Sequence, residues 1–238
     1  MSQQSKTKLI ASLFAPVAVL LLLWRVAPAL NGLWSELSTE PTPVAARPPR
    51  IERLDLDDPA YQDTEVRREH LAQYQFARDY SEKHGFQSVA DIASGTCYGM
   101  KMIQEVVPTV DGYDKEDLCG NYVLDLDKED WNRKYDAIVS FETIEHLARP
   151  EFFLENAVRS APVLLLSAPV NEGPGNEFHL QHWSLEELQE LLERYYTCEY
   201  LHRVGDKYEP GHIGGTDLFA VCRRKTQAAD AAASAGSE

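Results

Sequence analysis

Between residues 61 and 225 the apolar positions follow two rhythms. Val89-Ala90-Asp91-Ile92, Thr109–Tyr113, Tyr122–Leu124, Tyr135–Ser140 and Val163–Ser167 are short runs of strand length. Helical spacing marks Tyr61–His84, where Leu71, Tyr74, Phe76 and Tyr80 are apolar positions and Gly85 stops the helix. Tyr98–Val107 and Glu151–Arg159 read as further helices. Ser184 precedes LEELQELLERYY as an N-cap, with Glu187 three residues on completing a capping box. Strands near Glu199–Val204 and Asp217–Arg223 close the pattern. Strands alternating with helices predict an α/β fold, a mostly parallel sheet covered on both faces, with ligands at the carboxyl ends of the strands.

The ends of the chain follow other patterns. Leu9–Trp24 is an almost unbroken apolar run, preceded by Lys6 and Lys8 and followed by Arg25 and a second apolar patch, Val26–Trp34. About 20 apolar residues cross a bilayer, so the run spans one if Arg25 snorkels and the second patch contributes. Residues 1–34 therefore read as an N-terminal hydrophobic helix serving as a membrane anchor. A cleaved signal peptide competes, since Ala27-Pro28-Ala29 resembles a cleavage site. Residues 35–59, rich in Pro, Ser, Thr and charge, read as a linker, residues 60–225 as the globular domain, and 226–238 as a disordered tail.

Charge and cysteines narrow the partners. A formal net charge of −15 opposes general binding to a polyphosphate backbone. Cys97, Cys119, Cys198 and Cys222 are scattered and contain no C-x-x-C pair, which indicates neither a zinc knuckle nor a dense disulfide framework, and fits a reducing compartment best.

Two stretches at the predicted strand ends carry chemistry. Ala93-Ser94-Gly95-Thr96 is a small-residue turn between a strand and a helix start, where backbone N–H groups come close to a nucleotide-like ligand. Phe141–His146 follows the fourth strand. Continued as a helix, it would place Glu142, Glu145 and His146 on one face at i, i+3 and i+4. With His179 from NEFHLQHW, which also contains His182, these residues form a candidate site for a divalent ion (Mg or similar) that would acidify a substrate hydroxyl. Without a metal, His146 or His179 is the candidate general base, because imidazole titrates near neutrality.

Four motifs, EHLAQYQFA (Glu69–Ala77), DIASGTCYG (Asp91–Gly99), DGYDKEDL (Asp111–Leu118) and VSFETIEHL (Val139–Leu147), resemble those of class I S-adenosylmethionine-dependent methyltransferases acting on glycans and small hydroxylated molecules. The resemblance covers about His70 to Arg223. It implies a Rossmann-like seven-stranded sheet and S-adenosylmethionine as cofactor. Ala93, Ser94 and Gly95 would pass under its methionine part, with Asp91 near the amino group. Asp114 would accept hydrogen bonds from both ribose hydroxyls, Asp125 and Leu126 would contact the adenine edge, and Glu142 would reach the cofactor from the fourth strand. His70 and Tyr74 would close over the carboxylate end. Family members usually have glycine where this chain has Ala93 and Cys97, and Cys97 threatens to crowd the cofactor.

The expected activity is O-methylation of a sugar, lipid-linked glycan or small hydroxylated metabolite by a single-pass, membrane-associated protein whose domain faces the cytoplasm, where the cofactor is made. The E-x-x-E-H pattern also resembles the metal motif of small-RNA 2′-O-methyltransferases, against which the acidic chain speaks. A non-catalytic scaffold is favoured if Cys97 blocks the pocket. A nicotinamide-dependent oxidoreductase lacks its G-x-G-x-x-G spacing. The acceptor itself depends on loops such as Pro169–Phe178 and Asp206–Gly215, which have no readable code.

Overall fold

In the computed structural model, residues 53–173, 175–211 and 216–225 are described. Four α-helices and eight strands lie among them: α1 (Glu65–His84), β1 (Ser88–Ile92), α2 (Tyr98–Gln104), β2 (Thr109–Asp114), β3 (Tyr122–Val123), β4 (Ala137–Phe141), α3 (Pro150–Ser160), β5 (Val163–Pro169), α4 (Leu185–Glu193), β6 (Tyr196–Val204), β7 (Lys207–Pro210) and β8 (Asp217–Arg224). The sheet order is β3-β2-β1-β4-β5-β8-β6-β7. The ladders joining β3, β2, β1, β4 and β5 are parallel, and those joining β5, β8, β6 and β7 are antiparallel.

The period-2 alternation of the strands builds two cores. Val89, Val110, Val139 and Leu165 face one way and pack with Tyr74 and Ala77 of α1 and Ile103 of α2. Ala90, Ile92, Ile138, Leu164 and Leu166 face the other way, against Phe153 and Leu154 of α3 and Leu188 and Leu192 of α4. Helices thus cover both faces, as the pattern predicts. Because both faces are covered, every residue of β4 is buried. The order reverses between β1 and β4, which opens a crevice at the carboxyl ends of β1, β2 and β4.

The structure corrects the strand count from seven to eight, since β7 folds back on β6 as an antiparallel edge hairpin. Its sequence, KYEP, is short and its residues are exposed or half-buried, so it carries no apolar run by which to find it. The capping box forms as expected: Ser184 Oγ accepts from Glu187 N at 3.1 Å and Glu187 Oε2 from Ser184 N at 2.8 Å. Residues 53–59, read as linker, lie against the domain, with Leu54 buried.

The cysteines depart further from expectation. All four are paired, Cys97 with Cys119 and Cys198 with Cys222. The second pair joins directly opposed residues of β6 and β8. Fold proximity rather than sequence spacing brings them together, which is why the scattered pattern hid the pairing. Among the described residues no helix is long and apolar enough to cross a membrane. The expected anchor at 1–34 and the tail at 226–238 lie outside those residues.

Candidate functional site

The crevice at the strand ends holds a cleft of about 190 Å³ lined by Arg53, Ala93, Gly95, Asp114, Leu124, Leu126, Glu142 and His146, among others. Larger grooves, of about 580 and 570 Å³, lie beside α4 at Trp183 and Glu187 and between α1 and the β6–β7 hairpin at Phe76 and Tyr208. Neither contains a carboxylate from the carboxyl ends of β1, β2 or β4, whereas the smaller cleft contains Asp114 and Glu142 and is the candidate site.

The turn after β1 folds by left-handed backbone at three positions, Ala93 (φ 58°), Gly95 (φ 52°) and Cys97 (φ 64°). The first and third are where glycine is usual in the resembling family, and both residues adopt the glycine-like conformation at some conformational cost. Cys97 does not line the cleft: it is fully buried and its sulfur is bonded to Cys119. The feared crowding of the cleft is not seen. Gly99 is the glycine that close approach requires, because a Cβ there would lie 2.0 Å from Cε1 of Tyr74.

Asp91, one residue before the end of β1, is completely buried beneath the turn and does not line the cleft; its Oδ1 accepts from the Tyr74 hydroxyl at 3.0 Å. The Met100 backbone N–H also acts on the carboxylate, while Oδ2 has no partner of normal hydrogen-bond geometry among the described residues. Burial pushes its carboxyl up to about 7, with the nearby Asp114 adding to the rise and the Tyr74 hydrogen bond opposing it. An orphaned buried carboxylate oxygen asks for a donor, and a ligand ammonium group fits that need. Asp114 ends β2 only 7% exposed, its Oδ2 accepting from Gly95 N at 3.0 Å and its Oδ1 from Arg53 Nη2 at 2.7 Å.

The other expected cofactor residues divide. Ser94 is buried in the turn, and Leu126 lines the cleft as a buried apolar wall. Asp125 does not line it; its carboxylate accepts from Lys128 Nζ at 2.8 Å and from Asp127 N at 3.1 Å, and the Lys128 bond holds it below the usual carboxylate range. His70 Nδ1 lies 2.7 Å from the Tyr98 hydroxyl, and burial pulls its imidazole down to about 4, so it is neutral. Tyr74 is buried under the turn and holds Asp91.

The segment after β4 does not continue as a helix. Glu142 takes φ 47°, and only a single 3₁₀ turn follows, Ile144–His146. Glu142 is therefore not on a shared helical face with Glu145 and His146. Its N–H bonds Ser167 O across to β5, its Oε1 accepts from Ser167 Oγ at 2.7 Å, and Gln73 Nε2 lies 3.4 Å away. Burial raises its carboxyl to about 7, Ser167 pulling the other way.

Glu145, His146 and His179 do come together: one ligand atom from each lies within 4.8 Å of the others. The buried Glu145 has Oε1 3.6 Å from His146 Nε2, and the two imidazoles are 4.9 Å apart. His146 Nδ1 lies 3.0 Å from Phe178 O, a geometry that assigns Nδ1 as the protonated nitrogen and turns Nε2 towards Glu145. His179 Nδ1 meets Glu172 Oε2 at 2.5 Å and its Nε2 lies 2.9 Å from Asn176 Nδ2. His182 is further out, 6.3 Å from the His179 ring.

A parallel β3-β2-β1-β4-β5 sheet with an antiparallel β8 inserted beside β5, and acidic residues at or next to the ends of β2 and β1, decides the fold. It is the fold of the class I S-adenosylmethionine-dependent methyltransferases. No protein-family model matches the chain, and no curated protein matches it. Solved structures do. The N-terminal domain of EvdMO1, determined in the presence of S-adenosylhomocysteine and D-fucose, is 16% identical, with 66% of this chain and 84% of that chain covered and a TM-score of 0.52. The N-methyltransferase NodS from Bradyrhizobium japonicum, in complex with S-adenosylhomocysteine, is 13% identical over 71% of this chain and 93% of that one, at a TM-score of 0.53. The small RNA methyltransferase HEN1 is 16% identical over 67% of this chain and 26% of that chain, at 0.51. Sequence reasoning missed Arg53 in this methyltransferase-fold cleft, because a lone arginine in a Pro-rich charged stretch carries no periodic signal.

Proposed function

We propose that the protein is an S-adenosylmethionine-dependent methyltransferase that O-methylates a sugar, a lipid-linked glycan or another small hydroxylated molecule. The observation that carries the reading is the placement of Asp91 near the end of β1 and of Asp114 at the end of the neighbouring β2, around a small-residue turn, with Asp91 Oδ2 buried and without a hydrogen-bond partner among the described residues. Asp91 would hold the amino group of the methionine part, the turn at Ala93–Gly95 would carry its backbone, and Asp114 would hold the ribose. Leu124 and Leu126 offer an apolar wall for a base. S-adenosylmethionine supplies an electrophilic methyl group on a sulfonium.

The chain's own work is to position an acceptor hydroxyl and take its proton. As the acceptor oxygen bonds to the methyl carbon, the carbon–sulfur bond breaks and its electron pair goes to sulfur. His146, which lines the cleft and whose Nε2 lies 3.6 Å from Glu145 Oε1, receives the proton, with Glu145 stabilising the imidazolium that forms and the His179 ring 4.9 Å away. Glu145, His146 and His179 also supply a carboxylate and two imidazoles suited to a divalent ion, with Glu142 outside that group. An ion there would acidify the hydroxyl. This trio is what favours the second reading, a metal-dependent enzyme of the small-RNA type, against which the net charge of −15 weighs.

The reading includes a single-pass membrane anchor at 1–34, with the domain on the cytoplasmic side, on the strength of the sequence. The two disulfides weigh against that side, because such bonds persist in oxidising compartments. Transfer of labelled methyl from S-adenosylmethionine to a panel of sugars, glycolipids and short RNAs tests the activity. His146→Ala is expected to lower the rate by about 10²-fold or more. Loss of transfer in a chelator with S-adenosylhomocysteine binding intact supports the metal, and labelling of RNA alone overturns the small-molecule reading.

A further inference from the structure

Arg53 occupies the place that the proposed reading gives to the ribose. Its Nη2 donates to Asp114 Oδ1 at 2.7 Å and its Nη1 to Glu116 Oε2 at 2.8 Å. Asp114 also accepts from Glu116 N at 3.2 Å on the same oxygen and from Gly95 N at 3.0 Å on the other. A carboxylate offers about four lone-pair sites. Three are taken, and the two adjacent ribose hydroxyls need two.

The segment bearing Arg53 is tied down by its backbone rather than by the guanidinium. Leu54 is buried and its carbonyl accepts from Thr96 Oγ1 at 3.0 Å. The Leu56 carbonyl accepts from Arg67 Nη1 at 2.8 Å and Gln62 Nε2 at 2.9 Å. These bonds survive if the arginine side chain moves. An exit also exists, because Glu116 is 63% exposed whereas Asp114 is 7% exposed, so rotation towards Glu116 keeps one ion pair while freeing the buried carboxylate.

We infer that Arg53 is a latch on the cofactor cleft: its guanidinium holds Asp114, and the nucleoside binds only as the latch releases. The inference rests on the reading of Asp114 as the ribose acceptor. It makes the strap at Arg53–Leu56 a regulator of cofactor affinity.

Calorimetric titration of S-adenosylhomocysteine into the full chain and its Arg53→Ala and Asp114→Ala variants tests it. The latch predicts that Arg53→Ala binds about five- to tenfold tighter than wild type, the size of a partly buried ion pair removed from competition. Raising salt from about 50 to about 500 mM should tighten binding to the wild type, by screening the latch, and leave Arg53→Ala little changed. Unchanged or weaker binding by Arg53→Ala, with wild-type binding lost in Asp114→Ala, overturns the latch and leaves the ribose reading standing. No binding by wild type or Arg53→Ala overturns both.

Discussion

At the scale of single residues, the buried carboxylate of Asp91 sets two opposite pH dependences. Burial raises its carboxyl to about 7 from an ordinary value of 3.8. Between those values the folded state binds the proton and the unfolded state has lost it, so this contribution falls as pH rises through the window and is fully lost above about 7. Asp91→Asn should therefore melt higher than wild type at pH 8, by at least about 4 °C, and show little difference at pH 4. Ligand binding runs the other way, because an ammonium group needs the ionised form. S-adenosylhomocysteine affinity should rise from pH 6 to 8 in wild type and be weak and flat in Asp91→Asn. A rising profile in the variant would remove Asp91 from the site. Gly99→Ala tests the neighbouring contact: its Cβ would collide with the Tyr74 ring that holds Asp91. We expect cofactor affinity at least about tenfold weaker, with a loss of stability of about 1–3 kcal/mol in thermal or urea unfolding. The positions of Asp91, the small-residue turn and Asp114 at or next to the ends of β1 and β2 were legible because residue type and strand boundary coincide there. Arg53 and Gln73 were not, since their partners are set by tertiary contacts.

At the scale of elements, the long apolar or periodic segments were readable and the short ones were not. β1, β4 and β5 are buried on both faces and read as apolar runs, and the Ser184 capping box announces α4 by local chemistry alone. Ser184→Ala should cost about 1 kcal/mol by chemical denaturation, with no change in cofactor binding. The stretch after β4 failed as a helix because helical spacing over six residues has no nucleus long enough to hold it. Glu142 instead turns left-handed and is caught by Ser167 of the neighbouring strand. The Cys97–Cys119 bond joins the β1–α2 turn to the loop after β2 across 22 residues. Replacing both cysteines with serine should destabilise the protein by roughly 3 kcal/mol, as closure of a loop of that size implies. An unfolding curve unchanged by the double substitution would mean that the two residues are thiols in the working protein.

At the scale of the whole molecule, the reading joins an acidic methyltransferase-fold domain to an apolar N-terminal run. Thiol counting on denatured full chain kept from oxidation and reduction decides the compartment: no free thiols place the domain in an oxidising environment, and four place it in the reducing cytoplasm. The fold class was legible because alternating strands and helices fix layers and strand-end placement together. The edge hairpin and cysteine pairing were not, because both arise from long-range proximity. The central claim is that the strand-end carboxylates bind S-adenosylmethionine. Calorimetry of the full chain with S-adenosylmethionine, S-adenosylhomocysteine and NAD tests it most directly. The account predicts one-to-one binding of the first two, no binding of NAD, and loss of affinity of at least about a hundredfold in Asp114→Ala; binding of NAD alone, or of none of the three, would contradict it.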